Sequence, residues 1–509
     1  MTPGPIPLFA FDNTYARELD GFYARVTPSS FPKPGLQLLN EPLARELGLD
    51  VEALRAQAAE VLSGSRVPEG AEPLAQAYAG HQFGGLSPQL GDGRALLLGE
   101  LIDTQGRRRD LHLKGSGRTP FSRGGDGLAA LGPVLREYIL GEAMHHLGIP
   151  TTRALAAVST GASVRREGML PGGVLARVAA SHIRVGTFQF FAIRDDTDRV
   201  QQLVRYTLAR HYPDQREASN PALALLNAAI DAQARLIARW MLVGFIHGVM
   251  NTDNMTLSGE TIDYGPCAFM DAYSPGTVFS SIDQRGRYAY GNQPGIGQWN
   301  LARLAEALLP LLHADEPKAI ELAQEALAAY PVAYTKAWLG GMRQKLGLVG
   351  DQDATAAPAA SDEEDGGLAE AFLSLLEAQQ VDFTNAFRSL SSALRGDTGK
   401  ARALYRDPSA FDAWSRSWHA RLAAGGLVLT DDAEKAARAA HMDRVNPLYI
   451  ARNHKVEEAL AAGVRGDLGP TEQLLAVLAQ PFDERPGLEA YAVPAPSAFT
   501  EIYQTFCGT

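Results

Sequence analysis

The spacing of apolar residues changes twice along this chain. Over residues 1–65 apolar positions recur at helical intervals in two short runs, 42–47 and 51–62, with loops around them. Pro42 opens the first run, where a helix tolerates proline because the missing N–H would have no partner. From 94 to 185 the spacing shortens to that of strands, at 94–101, 110–114, 155–160 and 174–183. Alternation is strict at 110–114, with Leu111 and Leu113 on one face and His112 and Lys114 on the other. A helix over 133–147 interrupts this region, with Pro133 in its first position and Gly148 as its stop. Helical spacing then predominates: 187–210, 221–246, 299–313, 315–329, 332–346, 368–396, 407–423, 431–442 and 471–479.

This order predicts an α+β chain with a small β-rich lobe, a larger helical lobe and a further C-terminal helical region. Such a plan is that of a bilobal protein-kinase-like fold. The boundaries fall at 1–185, 186–350, 351–366 and 367–509. The acidic, Ala/Pro/Gly-rich segment 350–367 reads as a mobile linker or long loop. At 509 residues the chain is too long for a single core, and no internal repeat of fixed period divides it.

Composition narrows the function classes. A hydrophobic content of 46% with 21% charged residues is that of a soluble globular protein. The net charge of −11 argues against a general nucleic-acid binder, which needs a basic face. It leaves room for a local cationic pocket. The most hydrophobic stretch, 236–249, carries Arg239, Gly244 and His247, so no membrane span is expected. The N-terminus lacks a basic segment followed by a long apolar one, so no signal peptide is read and a cytoplasmic location is expected. Two cysteines, Cys267 and Cys507, exclude a cysteine-rich zinc site or a disulfide-dense scaffold.

The chemistry concentrates in a few motifs. His247-Gly-Val-Met-Asn-Thr-Asp-Asn254 is followed by Ile262-Asp-Tyr-Gly265, across a short polar turn between apolar, β-prone ends. Asn254 and Asp263 thus offer one amide oxygen and one carboxylate, which suits Mg²⁺, a hard cation that takes few protein ligands and completes its shell with phosphate and water. Protein kinases use a similar pair, with a catalytic Asp five residues before the metal Asn. Here that position is Val249, and the carboxylate is Asp253, directly before Asn254. Asp253 could accept a hydroxyl proton, or could serve as a turn or cap residue. His247 reads as a structural ring that bonds backbone.

Lys114 ends a strand and Glu137 lies in the first turns of the next helix, an arrangement by which a kinase small lobe positions a cation over phosphates. A solvated lysine and an exposed glutamate would look the same in isolation. The loop Lys114-Gly-Ser-Gly-Arg-Thr-Pro-Phe-Ser-Arg-Gly-Gly-Asp-Gly127 holds five glycines, three hydroxyls and two arginines. It suits close approach of backbone N–H groups to an anion and is not a Walker A sequence. Gly91-Asp-Gly-Arg94 precedes a strand and also fits a plain tight turn. Arg177 and Arg184, on or just after the 174–183 strand, would join Lys114 to supply three cations to one triphosphate.

Together the motifs 91–94, 114–127, 247–254 and Asp263-Tyr-Gly-Pro266, with Asp12-Asn-Thr-Tyr15 and Asn446-Pro-Leu-Tyr-Ile-Ala-Arg-Asn453, resemble the selenoprotein O family over essentially the whole chain. That resemblance implies a kinase-like protein adenylyltransferase, which binds ATP in an orientation inverted relative to kinases. AMP would move to Ser, Thr or Tyr hydroxyls of protein substrates with release of pyrophosphate. It implies ATP contacts at Gly91, Gly93, Arg94, Lys114, Asp126, Gly127, Arg177, Arg184 and Asp263, Mg²⁺ or Mn²⁺ on Asn254 and Asp263, Asp253 as proton acceptor, and Glu137 paired to Lys114. In the inverted orientation the γ-phosphate points inward and meets the extra arginines, and an Asp at 249 would face the wrong phosphate. Many eukaryotic members carry selenocysteine near the C-terminus, where this chain has Cys507, and the resemblance implies a Cys267–Cys507 bond. The competing readings are a kinase-like phosphotransferase, which the metal and Lys–Glu pairs would also serve, and a nucleotide-binding pseudokinase scaffold.

Overall fold

Seven antiparallel pairings of long and short strands build the amino-terminal part of the chain into one sheet with two very different faces. The structure, a computed structural model, describes residues 8–166, 168–349 and 362–506. Strands β1 (Tyr23–Arg25), β2 (Gly35–Leu39) and β3 (Leu74–Gln76) precede a separate hairpin of β4 (Gly80–Gln82) and β5 (Gly85–Ser87). Then come β6 (Ala95–Ile102), β7 (Arg108–Lys114), β8 (Ala129–Ala130), β9 (Arg153–Arg165) and β10 (Met169–Ala179). The order across the sheet is β1-β3-β6-β7-β10-β9-β2, with β8 also against β10.

One face is apolar. Leu96, Leu98, Leu111, Leu113, Val174, Ala176 and Val178 bury against Leu43, Leu47, Leu54, Ala58 and Val61 from the helices Glu41–Glu46 and Val51–Val61. The alternation at 110–114 holds, but its polar side is not a solvent face: His112 is fully buried. Register puts Arg177 opposite His112, so His112, Lys114 and Arg177 share the second face. The helix Leu131–His146 is buried along most of its length. Its Val134, Leu135 and Tyr138 pack on Ala154, Ala157 and Leu175 of the sheet, with Leu460 and Leu475 of later helices behind it.

Several boundaries differ from the apolar pattern, each for a local reason. The 133–147 helix begins at Leu131, so Pro133 stands third rather than first. The strand expected to end at 183 ends at Ala179, because the backbone N–H of His182 donates to the Asp110 carboxylate instead of a ladder partner. The 187–210 and 368–396 helices are each broken in two by a non-glycine residue in the left-handed region, Asp195 (φ 55°) and Gln380 (φ 55°). The next helix then starts on a carboxylate cap, Asp196 or Asp382. Conversely 315–329 and 332–346 are one helix, Glu316–Lys345, running through Pro331.

The acidic linker is shorter than expected, since 362–367 form the opening of the helix Asp362–Gln379. Four carboxylates there complement the positive end of the helix dipole. The rest of that linker, 350–361, lies outside the described residues. The Asn453–Val464 helix falls outside the expected set; no side chain caps its start, and Gly466 (φ 91°) just past its C-cap ends it.

The main core joins the helices from Val185 onward to Ile139, Leu140 and Met144 of the Leu131–His146 helix. Within it, β11 (Phe245–Ile246) pairs with β12 (Ala268–Phe269) and pinches off residues 247–267 as one loop. Arg452 locks the exit of that loop. Its guanidinium donates to Asp271 Oδ1 (2.6 Å) and to both oxygens of Asp382 (2.6 and 2.9 Å), and its side chain is fully buried. Arg452→Ala would leave two carboxylates without their cation. It is expected to destabilise the protein by about 3–5 kcal/mol, measured by chemical denaturation. A loss near zero would contradict the locking role.

Candidate active site

The second face of the sheet and the 247–267 loop enclose a cleft of about 620 Å³, a size suited to a nucleotide-like ligand. Nearly every residue singled out from the sequence is brought to it: Gly91, Gly93, Arg94, Lys114, Asp126, Gly127, Arg177, Arg184, Asp253, Asn254 and Asp263 line its walls. Glu137 stands behind them and Cys267 is buried outside it.

At the floor lies a closed ion cluster. Lys114 Nζ donates to Glu137 Oε2 (2.6 Å) and Asp263 Oδ1 (2.7 Å). Arg177 Nη1 donates to Glu137 Oε1 (2.9 Å) and to the same Asp263 oxygen (2.8 Å). Arg184 Nη1 reaches Asp263 Oδ2 (3.1 Å) and the backbone carbonyl of Asp253 (2.8 Å). Arg184 Nη2 also stands 3.8 Å from Asp92 Oδ1, so three cations face three carboxylates at the floor of the cleft. Burial alone would raise Asp263 and Glu137. Lys114 and Arg177 on both, with Arg184 added on Asp263, instead hold Glu137 below its ordinary value and Asp263 well below the usual carboxylate range. Arg184 is not on a strand: it is the residue before the helix Val185–Ala192, with its guanidinium 4.5 Å from the Tyr78 ring centroid.

Asp253 is the opposite case. Its Oδ2 accepts from Gln82 Nε2 (3.0 Å), and its buried Oδ1 has no hydrogen-bond partner. Burial pushes its carboxyl up to about 6, against the smaller pull of Gln82 and Arg184. Next to it, Asn254 donates its amide nitrogen to the Val249 carbonyl (3.0 Å), which turns the amide oxygen over to other partners. The Asp263 carboxylate and the anchored Asn254 amide oxygen are hard donors of the kind that suits a divalent cation. His247 is buried and bonds backbone on both nitrogens, Nε2 to the Ile262 carbonyl (2.9 Å) and Nδ1 to the Val249 N–H (3.4 Å). The polar turn 257–261 is not a two-stranded hairpin: Thr256 bridges to Arg184 and Thr261 to Thr151.

Above the cluster the glycines serve close packing. Gly91 (φ 69°) sits where a Cβ would fall 2.3 Å from the Phe121 ring, and a Cβ on Gly127 (φ 71°) would fall 2.2 Å from the Gly117 carbonyl. Arg94 lines the cleft wall beside them. Asp126 is held by both guanidinium nitrogens of Arg166 (2.8 and 3.2 Å), so it meets a ligand as an already paired carboxylate.

Sequence reading missed four wall residues. Arg166 carries no signal beyond a strand end. Asp92 accepts from the Gln76 N–H (3.0 Å) and faces His112 Nε2 (3.3 Å); it lay inside a quoted motif, between the two glycines. Asn251 likewise lay inside the quoted 247–254 motif, and Gln82 sits on the glycine-rich β4–β5 hairpin, whose turn chemistry was the available clue.

Cys267 is buried, and burial pushes its thiol up to about 12. Its expected partner, Cys507, lies outside the described residues. Nearby, the Thr505 hydroxyl donates to the Pro266 carbonyl (2.7 Å), and Arg136 donates to the carbonyls of Gly265 (3.0 Å) and Cys267 (2.6 Å).

Comparison with known proteins extends this picture over the chain. Residues 7–479 match the family described as protein adenylyltransferase SelO. The chain is 61% identical over 502 residues to protein nucleotidyltransferase YdiU of Cereibacter sphaeroides strain KD131, covering 98% of this chain and all of that one. It is 57% identical to the proteins of the same name from Rhizobium leguminosarum bv. trifolii, covering 98% and 97%, and from a Mycobacterium species, strain KMS, covering 98% and 99%. With its motifs gathered in one cleft and its whole length matched, this chain belongs to the SelO family of protein adenylyltransferases.

Proposed function

We propose that this chain transfers AMP from ATP to Ser, Thr or Tyr hydroxyls of protein substrates in a kinase-like, two-lobed frame. The β-rich segment 1–185 and the helical segment 186–350 would form the lobes, with 367–509 as an added helical region. One observation carries the reading: a buried cluster of Lys114, Arg177 and Arg184 sits beside Asp253, whose buried Oδ1 has no hydrogen-bond partner.

Lys114, Arg177 and Arg184 are the cations lining the cleft floor, so the terminal phosphates are assigned to them and the α-phosphorus to the side of Asp253. Lys114, oriented by Glu137, and the two arginines balance charge on the β- and γ-phosphates and so stabilise the leaving pyrophosphate. Gly91, Gly93, Arg94 and Gly127 let the loops close on the nucleotide, and Asp126 suits donors of its sugar or base. Asn254 and Asp263 would hold Mg²⁺ or Mn²⁺, which when bound neutralises phosphate charge. Asp253 Oδ1 takes the proton of the acceptor hydroxyl as that oxygen bonds to the α-phosphorus. The bond from this phosphorus to the bridging oxygen breaks, and pyrophosphate leaves. Gln82 keeps the other oxygen of Asp253 occupied, which leaves Oδ1 as the oxygen without a partner. A phosphotransferase reading is less well supported, because the kinase base position is filled by the apolar, buried Val249.

Two measurements test this. With ATP labelled at the α- or the γ-phosphate, protein is expected to acquire label from the α position only. Transfer of γ label would mean a kinase, and of neither a binding scaffold. Asp253→Asn is expected to lower kcat by about 10²–10⁴-fold with the KM for ATP little changed, the signature of a lost proton acceptor. Loss of ATP binding in that variant would assign Asp253 a structural role instead.

A further inference from the structure

Two apolar side chains stand exposed on the rim of the cleft, Phe83 (38% exposed) at the tip of the β4–β5 hairpin and Ile282 (52%) in the loop across from it. Single exposed apolar residues are ordinary; the construction around these two is not. Phe83 (φ 52°) and Gly84 (φ 88°) form a two-residue turn with both central residues in the left-handed region. That turn favours Asn-Gly, and a phenylalanine there is conformationally disfavoured. Observed strain of this kind persists where surrounding structure enforces it, and it gathers at ligand clamps.

Tyr288 and Asn251 enforce this turn. The Phe83 N–H donates to the Tyr288 hydroxyl (3.1 Å) and to Asn251 Oδ1 (3.3 Å), and its ring packs on Tyr288 at 5.1 Å. The Tyr288 hydroxyl itself donates to Asn251 Oδ1 (2.6 Å). The opposite rim hangs from the same tyrosine: the Asp283 carboxylate accepts from the N–H groups of Arg287 (2.9 Å) and Tyr288 (2.7 Å), and the Ser281 N–H donates to the Thr505 carbonyl (3.0 Å). Both apolar groups are therefore presented on fixed backbone. Gln82, the neighbour of Phe83, bonds Asp253.

We propose that Phe83 and Ile282 form a docking clamp for the protein substrate, gripping a bulky apolar side chain within two residues of the acceptor hydroxyl in an extended segment. The proposal rests on Asp253 as the proton acceptor. An acceptor side chain reaching Asp253 Oδ1 brings its flanking residues to this rim, at about 3.3 Å per residue of extended chain. The cleft interior is charged and suits the nucleotide, so the apolar rim is what remains to read the protein.

The test uses the full-length enzyme, α-labelled ATP and synthetic peptides with a central Ser, Thr or Tyr. In one set the two positions on either side carry Leu or Phe; in the other they carry Gln. Wild type is expected to label the apolar set faster by about tenfold in kcat/KM. Phe83→Asn, which suits the turn, and Ile282→Gln are each expected to bring the two sets to within about threefold, with unfolding temperature and the KM for ATP unchanged. Equal labelling of both sets by wild type, or a preference that survives both substitutions together, would overturn the clamp. No label on any peptide would overturn the transfer reading beneath it, a distinct outcome.

Discussion

Burying three cations in the sheet face that an ordinary α+β protein would fill with leucine is the constraint from which the rest of this architecture follows. Charges removed from water must be paired and hydrogen-bonded or the fold does not tolerate them. Lys114 and Arg177 come from neighbouring strands, Glu137 from the helix behind, Asp263 from the loop and Arg184 from the start of the next helix. Five separate elements are thereby held in one register by their charges. The polar column continues away from the cleft: His112 stacks on His182 at 4.2 Å, His182 bonds Asp110 (2.9 Å), and Arg210 joins Asp110 (2.6 Å) to Glu100. The apolar face of the same sheet carries the packing, which frees this face for chemistry.

Two aspartates ten residues apart in the same loop are pushed in opposite directions by their surroundings. Asp263 is saturated by cations and stays ionised; Asp253 is buried with one oxygen bare and is raised towards neutrality. Environment alone can thus give like groups opposite protonation behaviour within one site. The β4–β5 hairpin belongs to this device, because Gly80 packs so closely that a Cβ would lie 2.3 Å from Asp253 Oδ1, while Gln82 fixes the other oxygen.

Much of the site was readable because its members sit in long polar motifs in otherwise periodic sequence. Lys114, Glu137, Asn254 and Asp263 stand out by chemistry and order, and Arg177 and Arg184 by interrupting an apolar run. What escaped notice depends on contacts remote in sequence. Arg166 matters through Asp126, forty residues away, and Gln82 through Asp253, 171 residues away. Helix breaks at Asp195 and Gln380 were hidden because neither is glycine or proline, and the continuous helix through Pro331 was hidden because proline ordinarily marks a stop. Alternation at 110–114 identified the faces of the strand and not their surroundings, since a polar face reads the same whether it meets water or a buried ion cluster.

In the proposed transfer the nucleotide enters with its terminal phosphate among Lys114, Arg177 and Arg184. A crystal structure with a non-hydrolysable ATP analogue tests it most directly. The γ-phosphate oxygens are expected within about 3 Å of those side-chain nitrogens, with the α-phosphorus as the phosphorus nearest the Asp253 carboxylate. An adenine ring on the ion cluster, with the phosphates leading outward past Asp253, would contradict it.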